Sequence, residues 1–232
     1  MRPCIIIPAF EAERTLRNVI AGLSILRTDV LQIDGTPIFV VDDGSSDGSA
    51  AVARDLGVRV AKHDYNRGKG AALRTGMHLA QDEGYDVCVT VDADGQHPST
   101  AVKRVLEADA DQDALVLGVR DLERAGAPRA NRISNGISNF FLSRFSRRTL
   151  ADTQCGLRRY PIARTLALRG RADGYAYEAE IILRAAYAGM TIVEVPIDVH
   201  YPPESERVTH FDPVRDPARI VAAVVRTMIQ QR

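Results

Sequence analysis

Residues 91–98 read VDADGQHP. Asp92 and Asp94 stand one residue apart where an apolar run ends, and Gln96 follows two positions later. Carboxylates at i and i+2 with a side-chain amide at i+4, on a turn that Gly95 lets bend sharply, are hard oxygen donors. They suit Mg²⁺ or Mn²⁺ better than zinc, which prefers His and Cys. The competing reading is an Asx turn in which the aspartates bond only backbone amides. A second acidic pair, Asp42 and Asp43 in VVDDGSSDGSA (40–50), precedes small residues that let a ligand approach the backbone. A third stretch, NRGKGAALRTG (66–76), is glycine-rich, opens a helix and carries Arg67, Lys69 and Arg74. Helix N-terminal amides with basic side chains form an anion site. The stretch is neither GxxxxGK[ST] nor GxGxxG, so neither a P-loop nor a classical dinucleotide fingerprint is indicated. Carboxylates for a base, sugar or metal, together with cations for phosphates, point to a nucleotide diphosphate ligand.

These residues need a frame. Cys4 to Ile7 is an apolar run stopped by Pro8, and Leu16, Val19, Ile20 and Leu23 then recur at helical spacing. Pro37 to Val41 is a second strand, Asp47 caps a helix through Leu56, and Val58 to Ala61 is a third strand. Gly70 to Glu83 is predicted as a helix, Asp86 to Val91 as a strand, Ser99 as the cap of another helix, and Ala114 to Gly118 as a strand. Apolar strands alternating with helices imply a mostly parallel α/β sheet covered on both faces, with right-handed crossovers. Ligands of such sheets bind beyond the carboxyl ends of the strands, where both acidic pairs fall.

Beyond residue 119 the pattern loosens. Residues 120–148 are arginine-rich with no predicted strand, and Ile133, Ile137, Phe140, Phe141 and Phe145 are expected to pack on the sheet beneath a solvated arginine face. Residues 191–201, TIVEVPIDVHY, read as a strand, at an edge because of Pro196. Asp216 and Pro217 open a final helix whose stripe is Ile220, Val221, Val224, Val225 and Met228.

With 232 residues the chain can bury a substantial core, and Lys plus Arg equals Asp plus Glu at 30 each, so no global charge draws it to nucleic acid or an acidic membrane. Local clusters must do any such work. Cys4, Cys88 and Cys155 read as buried thiols in a reducing compartment rather than a disulfide frame. No window approaches the roughly 18 apolar residues of a membrane span, and the N-terminal run is too short for a signal peptide. A soluble, cytoplasmic protein is expected.

Six ordered segments, IPAF (7–10), VVDDGSSDGS (40–49), NRGKGAALRTG (66–76), VDADGQHP (91–98), DTQCGLRRY (152–160) and EVPIDVHY (194–201), resemble the inverting family 2 glycosyltransferases of GT-A fold. Within these the chain is most similar to the dolichyl- or polyprenyl-phosphate mannosyl- and glucosyltransferase branch. The resemblance implies a single Rossmann-like GT-A domain over 1–232, with a nucleotide-sugar half (1–119) and an acceptor half (120–232) ending in the amphipathic helix. It implies that Pro8, Phe10, Glu11, Asp42 and Asp43 hold the base and ribose, with Lys69, Arg74 and Ala93 completing the donor site. It further implies that Asp92, Asp94 and Gln96 surround a divalent cation, Mg²⁺ or Mn²⁺, on the diphosphate. Arg120, Arg132, Ser134 and Arg207 match positions that bind phosphate, and Asp92, Asp94 and Arg207 would carry the catalysis.

The implied partners are a nucleotide-sugar donor such as GDP-mannose or UDP-glucose and a lipid-phosphate acceptor, met by peripheral contact at the cytoplasmic membrane face. A phosphate monoester acceptor is already anionic near neutrality, its second pKa being about 6, so no general base is obligatory. A hydroxyl acceptor would need one, for which Glu178, Glu180 and Asp152 are the candidates. His97 is either a neighbour of the metal ligands or a turn residue. Two departures stand out: the Asn-Glu usual after the first aromatic is Glu11-Ala12, leaving Glu11 or Glu13 to substitute, and YPPESERVTH differs from the usual RxxGxSK. A nucleotidyltransferase would need a glycine- and arginine-rich N-terminal triphosphate loop, which IIIPAFEAER lacks. A catalytically silent nucleotide-binding or scaffold module would keep the fold while tolerating loss of the metal carboxylates, which are intact.

Overall fold

The computed structural model describes residues 1–29, 37–201 and 215–230. The strands are β1 (Pro3–Ala9), β2 (Ile38–Asp42), β3 (Arg59–Lys62), β4 (Val87–Thr90), β5 (Leu115–Arg120), β6 (Arg158–Pro161) and β7 (Ile192–Ile197). The helices are α1 (Glu13–Asp29), α2 (Ser49–Asp55), α3 (Lys69–Asp82), α4 (Ser99–Leu106), α5 (Arg129–Ser146), α6 (Ile162–Ala167), α7 (Ala176–Tyr187) and α8 (Arg215–Gln230). One seven-stranded sheet has the order β3-β2-β1-β4-β6-β5-β7. Strands β1 to β4 are mutually parallel, β6 runs antiparallel to both β4 and β5, and β7 is a parallel edge strand beside β5.

The run CIII explains how one strand serves two cores. Cys4 and Ile6 point to the face covered by α3 and α7, with Phe39, Leu73, Met77 and Ile182, whereas Ile5 and Ile7 point to the other with Leu16, Ile20, Val102 and Val105. All four are essentially inaccessible, which is why the run shows no alternation. Pro8 does not stop β1 but lies within it, opposite Val41 of β2. Pairing with β4 has ended by Ile6, so the missing proline N–H interrupts no ladder on that side.

Four further readings are corrected. Strand β6, RRYP, is absent from the sequence reading because two arginines hide a buried strand. The Arg158 guanidinium is satisfied by the carbonyls of Cys155, Thr153 and Glu178, and the two Nη atoms of Arg159 by those of Leu106, Ala108, Ala110 and Asp111, its buried Nε bonding none among the described residues. Ser99 is the first residue of α4 rather than its cap, which is Pro98. In α5, Ile133, Ile137 and Phe140 face outward, while Ser134, Asn135, Ser138 and Leu142 are buried. The cap of α2 is Gly48 rather than Asp47, which lies one residue further ahead and accepts the Ser49 N–H on Oδ1 at 2.9 Å. Among the described residues no helix is long and apolar enough to cross a membrane.

Candidate active site

Because β6 runs against its neighbours, it begins where β4 and β5 end. The loop 152–157 therefore joins the residues that follow β2, β4 and β5 at one edge of the sheet. Thr90 fixes the junction by donating its hydroxyl to the Gly156 carbonyl at 2.7 Å, and Gly118 donates its N–H to the Leu157 carbonyl at 3.0 Å. Gly156 lies so close to Asp92 that a Cβ there would land on the carboxylate.

At the centre is an ammonium between two carboxylates. Lys69 Nζ lies 2.6 Å from Asp92 Oδ1 and 3.0 Å from Glu178 Oε2, and sits 5.4 Å from the centre of the Tyr175 ring. Lys69 arrives there because Asp43 ties down the preceding loop, accepting N–H bonds from Arg67 (3.0 Å) and Gly68 (2.7 Å). Asp43 also contacts His63 Nδ1 at 2.6 Å, and His63 Nε2 meets the Thr75 hydroxyl at 2.9 Å. Gly44, at φ +77°, permits the close approach of this loop, since a Cβ would collide with the backbone of Tyr65 and Asn66.

The aspartates of the acidic turn titrate apart. Burial pushes Asp94 up to about 6, and the neighbouring Asp92 charge adds to the rise. Burial works against ionisation of Asp92 too, but the Lys69 ammonium outweighs it and holds the group below the usual carboxylate range. The Asx turn forms, with Asp94 Oδ1 accepting the Gln96 N–H at 2.9 Å. That bond uses one oxygen of one carboxylate, so the turn and a cation site are compatible. Burial lowers His97 to about 4, and its Nδ1 finds no hydrogen-bond partner among the described residues.

Arg120, at the end of β5, is gripped by Asp152 through Nε at 2.7 Å and Nη2 at 3.1 Å, and reaches Tyr201 Oη at 3.5 Å. Lys69, Asp92, Gln96, Arg120, Glu178 and Tyr201 line one cleft enclosing about 740 Å³ of open space. Gln154, Tyr175 and Asn131 line it as well and were given no role from sequence, although Gln154 sits inside the quoted motif DTQCGLRRY.

Of the three candidate bases, Glu178 alone lines the cleft. Its Oε1 is buried without a hydrogen bond, 3.8 Å from Arg158 Nε. Asp152 is fully buried and engaged by Arg120 and the Gln154 N–H. Glu180 accepts the Arg171 and Ala172 N–H groups and pairs with Arg184. Arg74 turns from the acidic residues to the Ala172 carbonyl (2.8 Å) and Asp173 (3.0 Å). Arg132 is exposed, 3.8 Å from Glu123, whereas Ser134 is buried and bonds the Gln154 side chain at 3.0 Å. Arg207 lies outside the described residues.

At the end of β2, Asp42 accepts the Ser45 N–H at 3.0 Å and lies 3.2 Å from Lys62 Nζ. Glu11, at φ 48°, accepts the Ser46 N–H and hydroxyl, while Phe10 is half-buried and Ala93 buried. Glu13 accepts the Gly48 N–H at 3.0 Å.

No three His, Cys, Asp or Glu side chains among the described residues form a ready metal cage. Two carboxylates and an amide still fit Mg²⁺ or Mn²⁺, which take few protein ligands and complete their shell with water and substrate phosphates.

The chain is 30% identical over 208 residues to an undecaprenyl-phosphate mannosyltransferase of Micrococcus luteus, covering 85% of this chain and 83% of that protein. It is 29% identical over 220 residues to a UDP-N-acetylglucosamine–dolichyl-phosphate N-acetylglucosaminyltransferase of Methanococcus voltae, covering 85% of each. Its fold resembles that of glucosyl-3-phosphoglycerate synthase from Mycobacterium tuberculosis, crystallised with Mg²⁺ and UDP, with a TM-score of 0.71 and 20% identity, covering 99% of this chain and 78% of that one. Residues 4–166 match the model of glycosyl transferase family 2, and the chain belongs to that family.

Proposed function

We propose that the protein transfers a hexose, with inversion, from a nucleotide-diphosphate sugar to a polyprenyl or dolichyl phosphate. The observation that carries this reading is the cleft itself. It sets an acidic turn beside a clamped arginine, and its two lining carboxylates among the described residues, Asp92 and Glu178, are both paired with Lys69. The names of the lipid-phosphate transferases among its relatives support the same acceptor.

Asp92, Asp94 and Gln96 would hold Mg²⁺ or Mn²⁺, which when bound withdraws charge from the departing nucleoside diphosphate. Asp42, Asp43, Pro8, Phe10 and Glu11 frame the donor end, although Asp43 acts through the loop that delivers Lys69. Arg120, prevented from swinging by Asp152, orients the acceptor phosphate, and Arg207 would add a second positive charge for it. A phosphate oxygen attacks the anomeric carbon as the bond from that carbon to the diphosphate oxygen breaks, and the electron pair leaves with the diphosphate. The attacking oxygen carries no proton at neutral pH, so no base is used.

A hydroxyl acceptor is the second reading, favoured by Glu178 as a base, since its Oε1 accepts no hydrogen bond among the described residues. Donor turnover distinguishes the two. Purified protein is incubated with lipid extract and GDP-mannose, UDP-glucose or UDP-N-acetylglucosamine, with Mg²⁺, Mn²⁺ or EDTA, beside Asp94→Ala. Metal-dependent formation of a mild-acid-labile, alkali-stable lipid, abolished in the variant, supports the phosphate acceptor. An acid-stable product selects the hydroxyl, and no turnover of any donor refutes the enzyme assignment.

A further inference from the structure

Helix α5 is inverted relative to an ordinary surface helix. Its buried positions are Ser134, Asn135, Ser138, Leu142 and Ser146, whereas Ile133, Ile137 and Phe140 are 55%, 43% and 67% exposed. Spacings of four and three put these apolar side chains in one outward line, and Arg144 continues it. Arg129, Arg132, Arg144, Arg147 and Arg148 are all exposed, and no Asp or Glu occurs between 129 and 148. An apolar centre with a cationic rim is thus concentrated on one helix of a chain whose net charge is zero.

The inner face explains why the helix holds this orientation. Ser138 bonds the Thr153 hydroxyl at 2.8 Å, Asn139 donates to the Ala151 carbonyl at 2.6 Å, and Ser134 bonds Gln154. These polar side chains hold the loop that carries Asp152, the clamp on Arg120. Asn131, in the first turn of α5, lines the cleft. Among the described residues α8 packs beside α5 and leaves Val225 and Ile229 exposed as well.

We infer that the outer face of α5 docks on an anionic lipid bilayer, with Ile133, Ile137 and Phe140 entering the headgroup boundary and the arginines meeting lipid phosphates. Apolar side chains with a basic rim are the composition of interfacial helices. A second copy of the chain is a poor occupant, because a twofold contact would set five arginines against five. A nucleic acid backbone offers nothing to the apolar centre. The inference deepens the lipid-phosphate reading and rests on it for its purpose: docking on α5 would bring the cleft to the surface where the acceptor lies.

The test is flotation of the full chain with vesicles of phosphatidylcholine alone and of three parts phosphatidylcholine to one part phosphatidylglycerol. Turnover of a short-chain, detergent-soluble polyprenyl phosphate is assayed in parallel. The wild type should float only with anionic vesicles and be released by high salt. Ile137→Ser/Phe140→Ser and Arg144→Glu should each lower partitioning about tenfold or more while keeping turnover of the soluble acceptor. Absence of flotation, or equal flotation of the variants, overturns the inference whatever the turnover shows. Variant-sensitive flotation without transfer to any lipid phosphate upholds the docking face and removes the proposed acceptor instead. If the double variant dissolves a dimer seen without lipid, the face belongs to a second copy and the inference is overturned.

Discussion

Lys69 Nζ and Asp92 Oδ1 are 2.6 Å apart, so the first carboxylate of the acidic turn already holds a cation of its own. The same ammonium reaches Glu178 at 3.0 Å; the Glu178 side chain is buried, whereas that of Asp92 keeps 26% of its exposure. Replacing Lys69 by Met leaves the partly buried Asp92 without its cation and the buried Glu178 with only Arg158, 3.8 Å away. Such a loss costs about 3 kcal/mol or more. The expected outcome is a lower Tm in EDTA, with a larger rise on adding Mn²⁺ than the wild type shows, measured by thermal unfolding with and without the ion. Equal Mn²⁺ responses would mean that Lys69 and a metal do not share Asp92.

The raised pKa of Asp94, about 6, has a definite sign. Its folded value exceeds that of an unfolded aspartate, so the folded state holds this proton more tightly. The contribution to stability is fully present below the unfolded value and is lost as pH rises through the folded one. Urea unfolding of the metal-free wild type and Asp94→Asn should show the variant gaining relative stability on going from about pH 4 to about pH 7.5. Because burial is the larger cause, Asp92→Asn should lower the Asp94 value seen by carboxyl NMR only part of the way.

Arg120 is held through two nitrogens by Asp152, a geometry lysine cannot reproduce. Arg120→Lys should lower kcat/KM for the phosphate acceptor about 10- to 100-fold, the worth of about 1.5–3 kcal/mol for a charge-assisted hydrogen bond. Donor hydrolysis in the absence of acceptor should change far less. Steady-state kinetics at varied acceptor concentration separates the two.

Gly156→Ala tests the tight contact behind Asp92. The added methyl group meets the carboxylate, so it should displace the side chain and weaken Mn²⁺ binding in calorimetry. Its overpacking cost should stay within about 1–3 kcal/mol.

Burial raises all three thiols, Cys155 to about 12. A thiolate-seeking reagent should find no reactive cysteine in native protein and three after denaturation. Rapid labelling of the native state would show that one of these regions opens.

The sheet was legible where its strands were uniformly apolar. Ile5 to Ile7, Phe39 to Val41 and Val87 to Val89 are buried on both faces, so hydrophobicity alone marked them. Strand β6 was not, because Arg158 and Arg159 find their partners among carbonyls far away in sequence. The acidic turn and Lys69 announced themselves by type and spacing. That Asp152 clamps Arg120, or that Glu180 braces the loop at 171–172, depends on contacts between distant segments that no local pattern records. In α5 the helical period holds and Phe145 packs on the core as expected, but Ile133, Ile137 and Phe140 face outward, because the inner partners along that stretch are the polar residues of a loop.

The antiparallel insertion of β6 between β4 and β5 also bears on how such transferases can diverge. The stretch after residue 120 supplies an interior rung of the sheet that the stretch before it begins. A chimera joined near 120 would exchange part of the scaffold along with the acceptor pocket. Changes of acceptor are accommodated more readily in the loop around 152–157 and on α5, where sequence can change without unzipping a strand.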